Sequence, residues 1–518
     1  MAADPADLRT PSWAREVLGA VAALAVSIAT LAVVASTPRA ELLLRDGDSL
    51  VTTLVVQSLA AGQPQDWAMS SVLFLPETAA LGILSLGGLG VEGTLLLAGV
   101  VNLVALYGAL RVAAGARRPD SAPVAASLLA LIAFALLAVT EASADRDALE
   151  PASLLLTTTY YSATVLAAVV AFGLARRGLD APERRVHAWV LGGVAAASVL
   201  TNPLFAAWVT VPLAVVLTVI GLRARRTTFA PAGPAAWSLL LAVVAGSAVG
   251  FLARLPLAHL IANTGAGYAA PSRWAESLAY YAGLAADRLA EPGGAVAGLL
   301  IAALWTWCVV AMVLLARRAR VGAAVIAACG WLVPVLVVVG AIALGTHAAR
   351  YVQPLAFAPI LGLVVVPDLA PQRLHLGRLV LAAASVVALV LAAGFGIPRL
   401  VAAASAPDPD LACVVAWTDA SGRTGAGQFW TVRLPKAHAA DQRSLVQVDH
   451  ELHGYAWLVN RDDFAVGEVT FLVRDDESVP FALPGGVTEA DAAALIDCGR
   501  YTIVDFGDRP LRLGPQRS

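Results

Sequence analysis

Residues 17–36, VLGAVAALAVSIATLAVVAS, carry no charge from end to end. About 20 apolar residues are what an α-helix needs to cross a bilayer. Arg9 and Arg15 precede this run, which is too long for a signal-peptide core and lacks a clean small-x-small cleavage site. It reads as an uncleaved anchor. Working outward, comparable stretches lie near 91–113, 123–141, 153–175, 188–201, 203–222, 235–253, 294–316, 321–344, 350–366 and 378–397. The Thr201-Asn202-Pro203 turn divides two of them. The expected fold is an α-helical polytopic membrane protein with about eleven transmembrane helices. Composition agrees. The chain is 59% hydrophobic and 14% charged, with a mean hydropathy of +0.75, whereas soluble domains carry roughly 25% charged residues.

Arginine placement sets the expected orientation. Alternate loops hold Arg117 and Arg118; Arg176, Arg177, Arg184 and Arg185; Arg223, Arg225 and Arg226; Arg317, Arg318 and Arg320; Arg373 and Arg378. With Arg9 and Arg15 they all fall on one side, which places the N-terminus in the cytoplasm and the C-terminus outside. The remaining loops, 37–90, 141–151, 254–293 and 345–351, are acidic or mixed. Residues 79–90 predict an interfacial or re-entrant helix. Trp274, Tyr280 and Tyr281 in the 254–293 loop suit an amphipathic helix at headgroup level.

Charged residues return near 400. The expected organisation is a transmembrane domain over 1–399, carrying the long first outer loop at 37–90, and a small mixed α/β extracytoplasmic domain over 400–518. Within the latter, CVVAW, SLVQV, VTFLV and YTIVDF predict strands. TEADAAALIDCG predicts a helix opened by Thr488 and stopped by Gly499. Cys308 and Cys329 fall in apolar spans and read as small buried hydrophobes. Cys413 and Cys498 flank the polar region and form a disulfide candidate if it lies outside the cytoplasm. Lys436 is the only lysine, and no basic block points to nucleic acid.

Ion-coupled transporters bury ionisable groups mid-span. Here the span centres hold almost none. Charges collect at the expected outer ends instead: Asp46, Asp48, Glu141, Asp145, Arg146, Asp147, Arg254, His347 and Arg350. Arginine binds phosphate bidentately, and a carboxylate takes the proton from an attacking hydroxyl. Together they suit group transfer from a phosphorylated lipid. Asp46-Gly47-Asp48 also has the spacing by which two carboxylates share a divalent cation, so the metal remains open and no other cofactor is implied. Plainer readings stand beside these. Asp46 and Asp48 suit loop solvation or capping, Arg350 an interfacial snorkelling arginine, and His347 a helix end. Glu77 would favour a helix N-terminus, and Arg146 with Asp147 a loop salt bridge.

The segment RDGDSLVTTLVVQSLAAGQPQDW, residues 45–67, resembles the first outer loop of the GT-C superfamily of integral membrane glycosyltransferases. It is most similar to the branch of protein O-mannosyltransferases and the lipid A aminoarabinose transferase. That branch follows its first span with an R-D-E-type motif, a helix and a G-x-W segment, and Arg45-Asp46 and Gly62 to Trp67 occupy those places. THAARYVQP matches the R-Y-x-x-P motif of a late span through Arg350, Tyr351 and Pro354. GQFWTVRL, SLVQVD and YAWLVNRDDF resemble outer domains of the superfamily. The lysine-proline-proline element of the lipid A branch is absent; FLPET, with Glu77, stands there.

The resemblance implies a transferase at the outer face of the cytoplasmic membrane. Its donor would be a polyprenyl-phosphate sugar, its acceptor an envelope glycan, lipid or protein. Asp46 or Asp48 would be the catalytic base. Asp145, Asp147 and Glu77 would be acidic partners or acceptor ligands, and Arg350, Tyr351, Arg146 and His347 the donor-phosphate site. The alternatives are a non-catalytic scaffold that binds envelope glycan or a partner protein, and a transporter.

Overall fold

The computed structural model describes residues 12–116, 123–224, 232–369 and 378–517. Among these, nine helices are long and apolar enough to cross a membrane, from Trp13–Val34 to Ala383–Ala404. Two shorter apolar helices, Pro123–Ala138 and Val186–Thr201, stand where the sequence predicts two further spans. Arg9, Arg117, Arg118, Arg225, Arg226 and Arg373, used in the orientation argument, lie outside the described residues.

The chain divides into two units. A helical unit takes the chain up to Arg39, Leu97–Ala253 and Tyr268–Val401. A sheet-bearing unit takes Ala40–Leu96, Arg254–Gly267 and the chain from Ala402. The first loop therefore groups with the C-terminal region, which a single boundary near 400 does not express.

In the helical unit, small residues set the closest approach. A Cβ on Gly246 would lie 2.2 Å from the Gly192 carbonyl, and one on Gly250 would lie 2.4 Å from that of Ala196. Helices Gly233–Leu252 and Val186–Thr201 therefore meet backbone to backbone, as small-xxx-small pairs do in lipid. Thr210 and Ser247 share a hydroxyl hydrogen bond of 2.7 Å nearby. At one end of the unit, Arg176 donates to the Ala113 carbonyl and to Asp368, and Arg177 to the Val112 carbonyl. Cations there satisfy carbonyls that a helix C-terminus leaves open.

The predicted span from 153 begins later than expected. Ser153–Leu156 is a 3-10 turn, and the helix starts at Ser162 after Tyr161, whose φ is 69°. The delay has a local cause: the Glu141 carboxylate accepts from the backbone N–H of Ala152 and Ser153, at 2.9 and 2.6 Å. The span around 350–369 is a series of short pieces, Ala349–Val352, Pro354–Phe357, Leu361–Val364 and Val366–Leu369. The amphipathic helix expected in the 254–293 loop is Trp274–Ala290.

The sheet-bearing unit holds a mixed five-stranded sheet. Its strands in chain order are β1 Gly425–Gly427, β2 Leu445–Gln447, β3 Phe471–Arg474, β4 Ala494–Cys498 and β5 Tyr501–Asp505. Spatially they run β2-β1-β3-β5-β4, with β1 parallel to both neighbours and the rest antiparallel. Helix Phe429–His438 crosses from β1 to the parallel β2, as a parallel pair requires. Ala426, Val446, Leu472 and Val504 fill the core. Trp67–Ala68 pairs antiparallel with Val459–Asn460, and the Arg461 N–H donates to the Asp66 carbonyl at 2.7 Å. These bonds tie the first loop to the C-terminal chain.

Two sequence expectations fail in this unit. CVVAW is not a strand: it lies in helix Pro409–Ser421, opened by Asp408, whose side chain accepts from the Leu411 N–H. Only Leu411, Val414 and Thr418 of that helix are buried, a three-to-four-residue spacing that β-branched residues mask. TEADAAALIDCG is not a helix either. Thr488 and Asp491 do form a capping box, but it closes one 3-10 turn, after which Ala494–Cys498 pairs with β5. Pairing partners override a local helix-start signal.

Cys413 and Cys498 are disulfide-bonded across 85 residues, while Cys308 and Cys329 are free and buried. Constraining so long a loop contributes about 2–5 kcal/mol. Reductant, or Cys413→Ser, should therefore lower the unfolding temperature of the full chain in detergent, read by differential scanning fluorimetry.

His438 Nε2 lies 2.8 Å from Glu92. Burial lowers the imidazole pKa, but the hydrogen bond and charge of Glu92 outweigh it and leave the pKa raised. A raised folded value means stability present below about pH 6.5 and lost as pH rises through the His438 pKa. The unfolding temperature of the native chain should fall over that window more than that of His438→Gln, which keeps a donor without titrating.

Candidate functional site

In the sheet-bearing unit the candidate carboxylates sit in a tight turn. Asp46 Oδ1 accepts from the Asp48 N–H at 3.0 Å, an Asx turn. Gly47 between them is pressed on helix Phe429–His438: a Cβ there would lie 3.1 Å from Trp430, 3.2 Å from Phe429 and 3.3 Å from Arg433. Only glycine fits that approach without displacing a ring. Arg45 is held by Glu41 at 2.7 Å and lies 3.7 Å from Asp408. Glu77 is buried in the first turn of helix Leu75–Ser85.

Arg433 is the functional candidate that sequence reasoning missed. It is 0% exposed. Its Nη1 donates to the Leu458 carbonyl at 2.7 Å, and its guanidinium carbon lies 4.6 Å from the Phe429 ring centroid, within cation–π range. Its Nε and Nη2 are buried without a hydrogen-bond partner. Those two nitrogens form one fork edge of the guanidinium, the edge that grips a carboxylate or phosphate bidentately. Burial lowers its pKa to about 10, opposed by Asp48, Asp46 and Asp463, so it stays cationic at neutral pH. Tyr455 is raised by burial and by Asp48. Asp46, Asp48, Arg433 and Tyr455 thus share one electrostatic neighbourhood. Nothing in GQFWTVRL marks Arg433 as buried, because its signal is long-range pairing and not spacing.

Lys436, one turn on, is also buried. It pairs with Asp463 at 2.9 Å and donates to the carbonyls of Gln442 and Leu445. Asp462 and Asp463 lie in a 3-10 turn, Arg461–Val466. Among the described residues, Asp449, Glu451 and His453 bring ligand atoms within 4.8 Å of one another. Arg517 already lies 2.7 Å from Glu451, an arrangement that supplies the balancing charge without a cation.

In the helical unit, a second group gathers residues far apart in sequence. Asp145 Oδ1 accepts from the Asp147 N–H at 2.9 Å, and the Tyr280 hydroxyl donates to Asp147 at 3.5 Å. The Tyr280 ring packs edge-on to His347, 5.4 Å between centroids. Burial and Asp147 push the Tyr280 hydroxyl well above its ordinary pKa, so it remains a donor. Arg350 lies over the Tyr160 ring at 6.0 Å and beside Tyr351. Gln353 donates to the Tyr160 carbonyl at 2.8 Å, fastening the RYxxP segment to the turn before helix Ser162–Asp180. Tyr161 in that turn keeps its left-handed backbone, a strain of about 1–3 kcal/mol of the kind that collects at working sites. Arg146 is half-buried between the two aspartates.

A buried ionic knot holds the Asp145–Asp147 loop. Arg39 is 0% exposed and donates to Ser153 Oγ and to the carbonyls of Ser143, Asp145 and Glu150, all within 2.8–3.0 Å. The Glu150 carboxylate accepts from the N–H of Ala142 and Ser143 and from Arg288 at 3.0 Å. Arg288 also donates to the Thr140 carbonyl and to Glu291. Burial pushes Glu141 up to about 7, with Arg39 opposing. None of Arg39, Glu150 or Arg288 stands out in the sequence.

No protein-family model matches the chain, and no curated protein matches it.

Removing the Glu150 charge would leave Arg39 and Arg288 buried against each other. Breaking such a pair costs about 3–5 kcal/mol. Glu150→Ala should therefore lower the unfolding temperature sharply, whereas Asp145→Asn and Asp147→Asn, on exposed carboxylates, should leave it nearly unchanged.

Proposed function

We propose that the chain is a GT-C-type glycosyltransferase of the cytoplasmic membrane that moves a sugar from a polyprenyl-phosphate donor to an outer-face acceptor. The observation that carries this reading is the Asp46-Gly47-Asp48 turn, locked against the buried Arg433. A carboxylate pair held rigidly beside a guanidinium is suited to orient and deprotonate a hydroxyl. The group around Arg350, with its aromatic rings and the nearby acidic loop, is suited to a phosphate and a sugar face.

In this reading the acceptor oxygen attacks the anomeric carbon, and Asp46 or Asp48 takes the hydroxyl proton. The bond from the anomeric carbon to the phosphate oxygen breaks, and the electron pair leaves with the polyprenyl phosphate. A guanidinium offsets the charge that develops there; within the helical unit, Arg350 is suited to such a phosphate and Tyr280 and His347 to a pyranose face. The orientation follows the same reasoning: Arg176, Arg177, Arg184, Arg185, Arg223, Arg317 and Arg318 gather at the helix ends expected inside. The Cys413–Cys498 bond suits an oxidising, extracytoplasmic compartment for the C-terminal region.

The test is transfer from a panel of polyprenyl-phosphate sugars by the purified full chain. Replacing the base, Asp46→Asn or Asp48→Asn, should lower kcat about 10²–10⁴-fold; residue 46 keeps its side-chain acceptor in either variant, and the lost charge facing buried Arg433 lowers the unfolding temperature without unfolding the chain. Full transfer by both variants removes the base. Arg350→Ala should weaken donor binding together with kcat.

A further inference from the structure

We propose that the helical unit carries a second lipid site, at the arginine-bearing end, for one acyl chain and the phosphate of an anionic glycerophospholipid. A cavity of about 510 Å³ opens between helices Val211–Arg223, Pro292–Arg317 and Val321–Ala343. Its wall is apolar: Val215, Val219, Met312, Ala324, Ala328 and Leu332 line it. Val215 and Val219 are 45% and 43% exposed, so the groove opens outward from the helices. The polar atom of its one lining tryptophan is satisfied within the wall, since Trp331 Nε1 donates to the Met312 sulfur at 3.1 Å. The occupant of such a wall is hydrocarbon.

Two features specify which hydrocarbon. The first is charge. Among the described residues, the lining includes Arg223 and Arg317, both exposed and both in the last turn of their helices, and no acid. Two guanidiniums at one rim complement a phosphate whose headgroup adds no compensating cation. The second is depth. The wall from Arg223 back to Val215 rises about 12 Å, and that from Val321 to Leu332 about 16 Å. One leaflet of hydrocarbon is about 15 Å thick. The groove therefore matches a single-leaflet acyl chain hanging from a headgroup at the arginines. A long isoprenoid would overrun it, which sets this site apart from the donor site proposed above.

The test is native mass spectrometry of the full chain in detergent, offered equal amounts of phosphatidylglycerol and phosphatidylcholine with identical chains. The native protein should retain phosphatidylglycerol about tenfold or more over phosphatidylcholine, and Arg223→Gln with Arg317→Gln should bring the two to parity. Arg184→Gln with Arg185→Gln, exposed arginines outside the groove, should keep the preference. Ala328→Trp, which fills the groove, should shed the retained lipid. Equal retention by the native protein overturns the site, as does an undiminished preference in the Arg223 and Arg317 variant. Equal loss in the Arg184 and Arg185 control, or displacement of the lipid by equimolar inorganic phosphate, assigns the effect to diffuse charge and overturns it too.

Discussion

A guanidinium taken out of water must find an acceptor for nearly every N–H, and Arg39 does so with the carbonyls of Ser143, Asp145 and Glu150 and the hydroxyl of Ser153. That requirement shapes the whole turn between helices Pro123–Ala138 and Ser162–Asp180. Glu150 returns the balance by accepting from two backbone N–H groups and from Arg288. The loop carrying Asp145 and Asp147 is thereby a rigid element, although its aspartates are exposed. Glu141 performs the same service for the N–H groups of Ala152 and Ser153. Buried pairs of this kind contribute little net stability but fix one geometry, because any rearrangement strands a charge.

The sheet-bearing unit repeats the device with a different outcome. Helix Phe429–His438 is buried on nearly every face and still carries Arg433 and Lys436. Lys436 is fully answered by Asp463 and two carbonyls. Arg433 is not, because its Nε–Nη2 edge keeps no hydrogen-bond partner and its charge is met by Asp48, Asp46 and the Phe429 ring instead. A buried cation left with an open fork is costly, at about 1–3 kcal/mol or more for each unsatisfied group. Natural chains retain such costs where a site needs them. The close seat of Gly47 on that helix couples the acidic turn to the same guanidinium.

Legibility followed the range of the interaction. Spans were readable because roughly 20 apolar residues signal themselves. The amphipathic helix Trp274–Ala290 was readable from its own residues too. Cys413 and Cys498 could be offered as partners because the other two cysteines lay in apolar runs. CVVAW and TEADAAALIDCG misled because local propensity is weak beside pairing: Val414 is buried by a helix face, and Ala494–Cys498 by β5. Asp46, Asp48, Asp147, His347 and Arg350 were visible as polar groups at helix ends. Tyr280, named only as an interfacial aromatic, turned out to join Asp147 to His347.

The linear order of residues determined where the chain is apolar and which charges lie at the ends of its apolar stretches. Tertiary structure alone decided that the first loop groups with the C-terminal sheet, that Arg39 and Arg433 are buried, and that the two-arginine groove is as deep as one leaflet. The reason is physical. Hydrophobicity is a property each residue carries with it, whereas burial of a charge depends on partners elsewhere in the chain, which for Arg39 lie more than a hundred positions away.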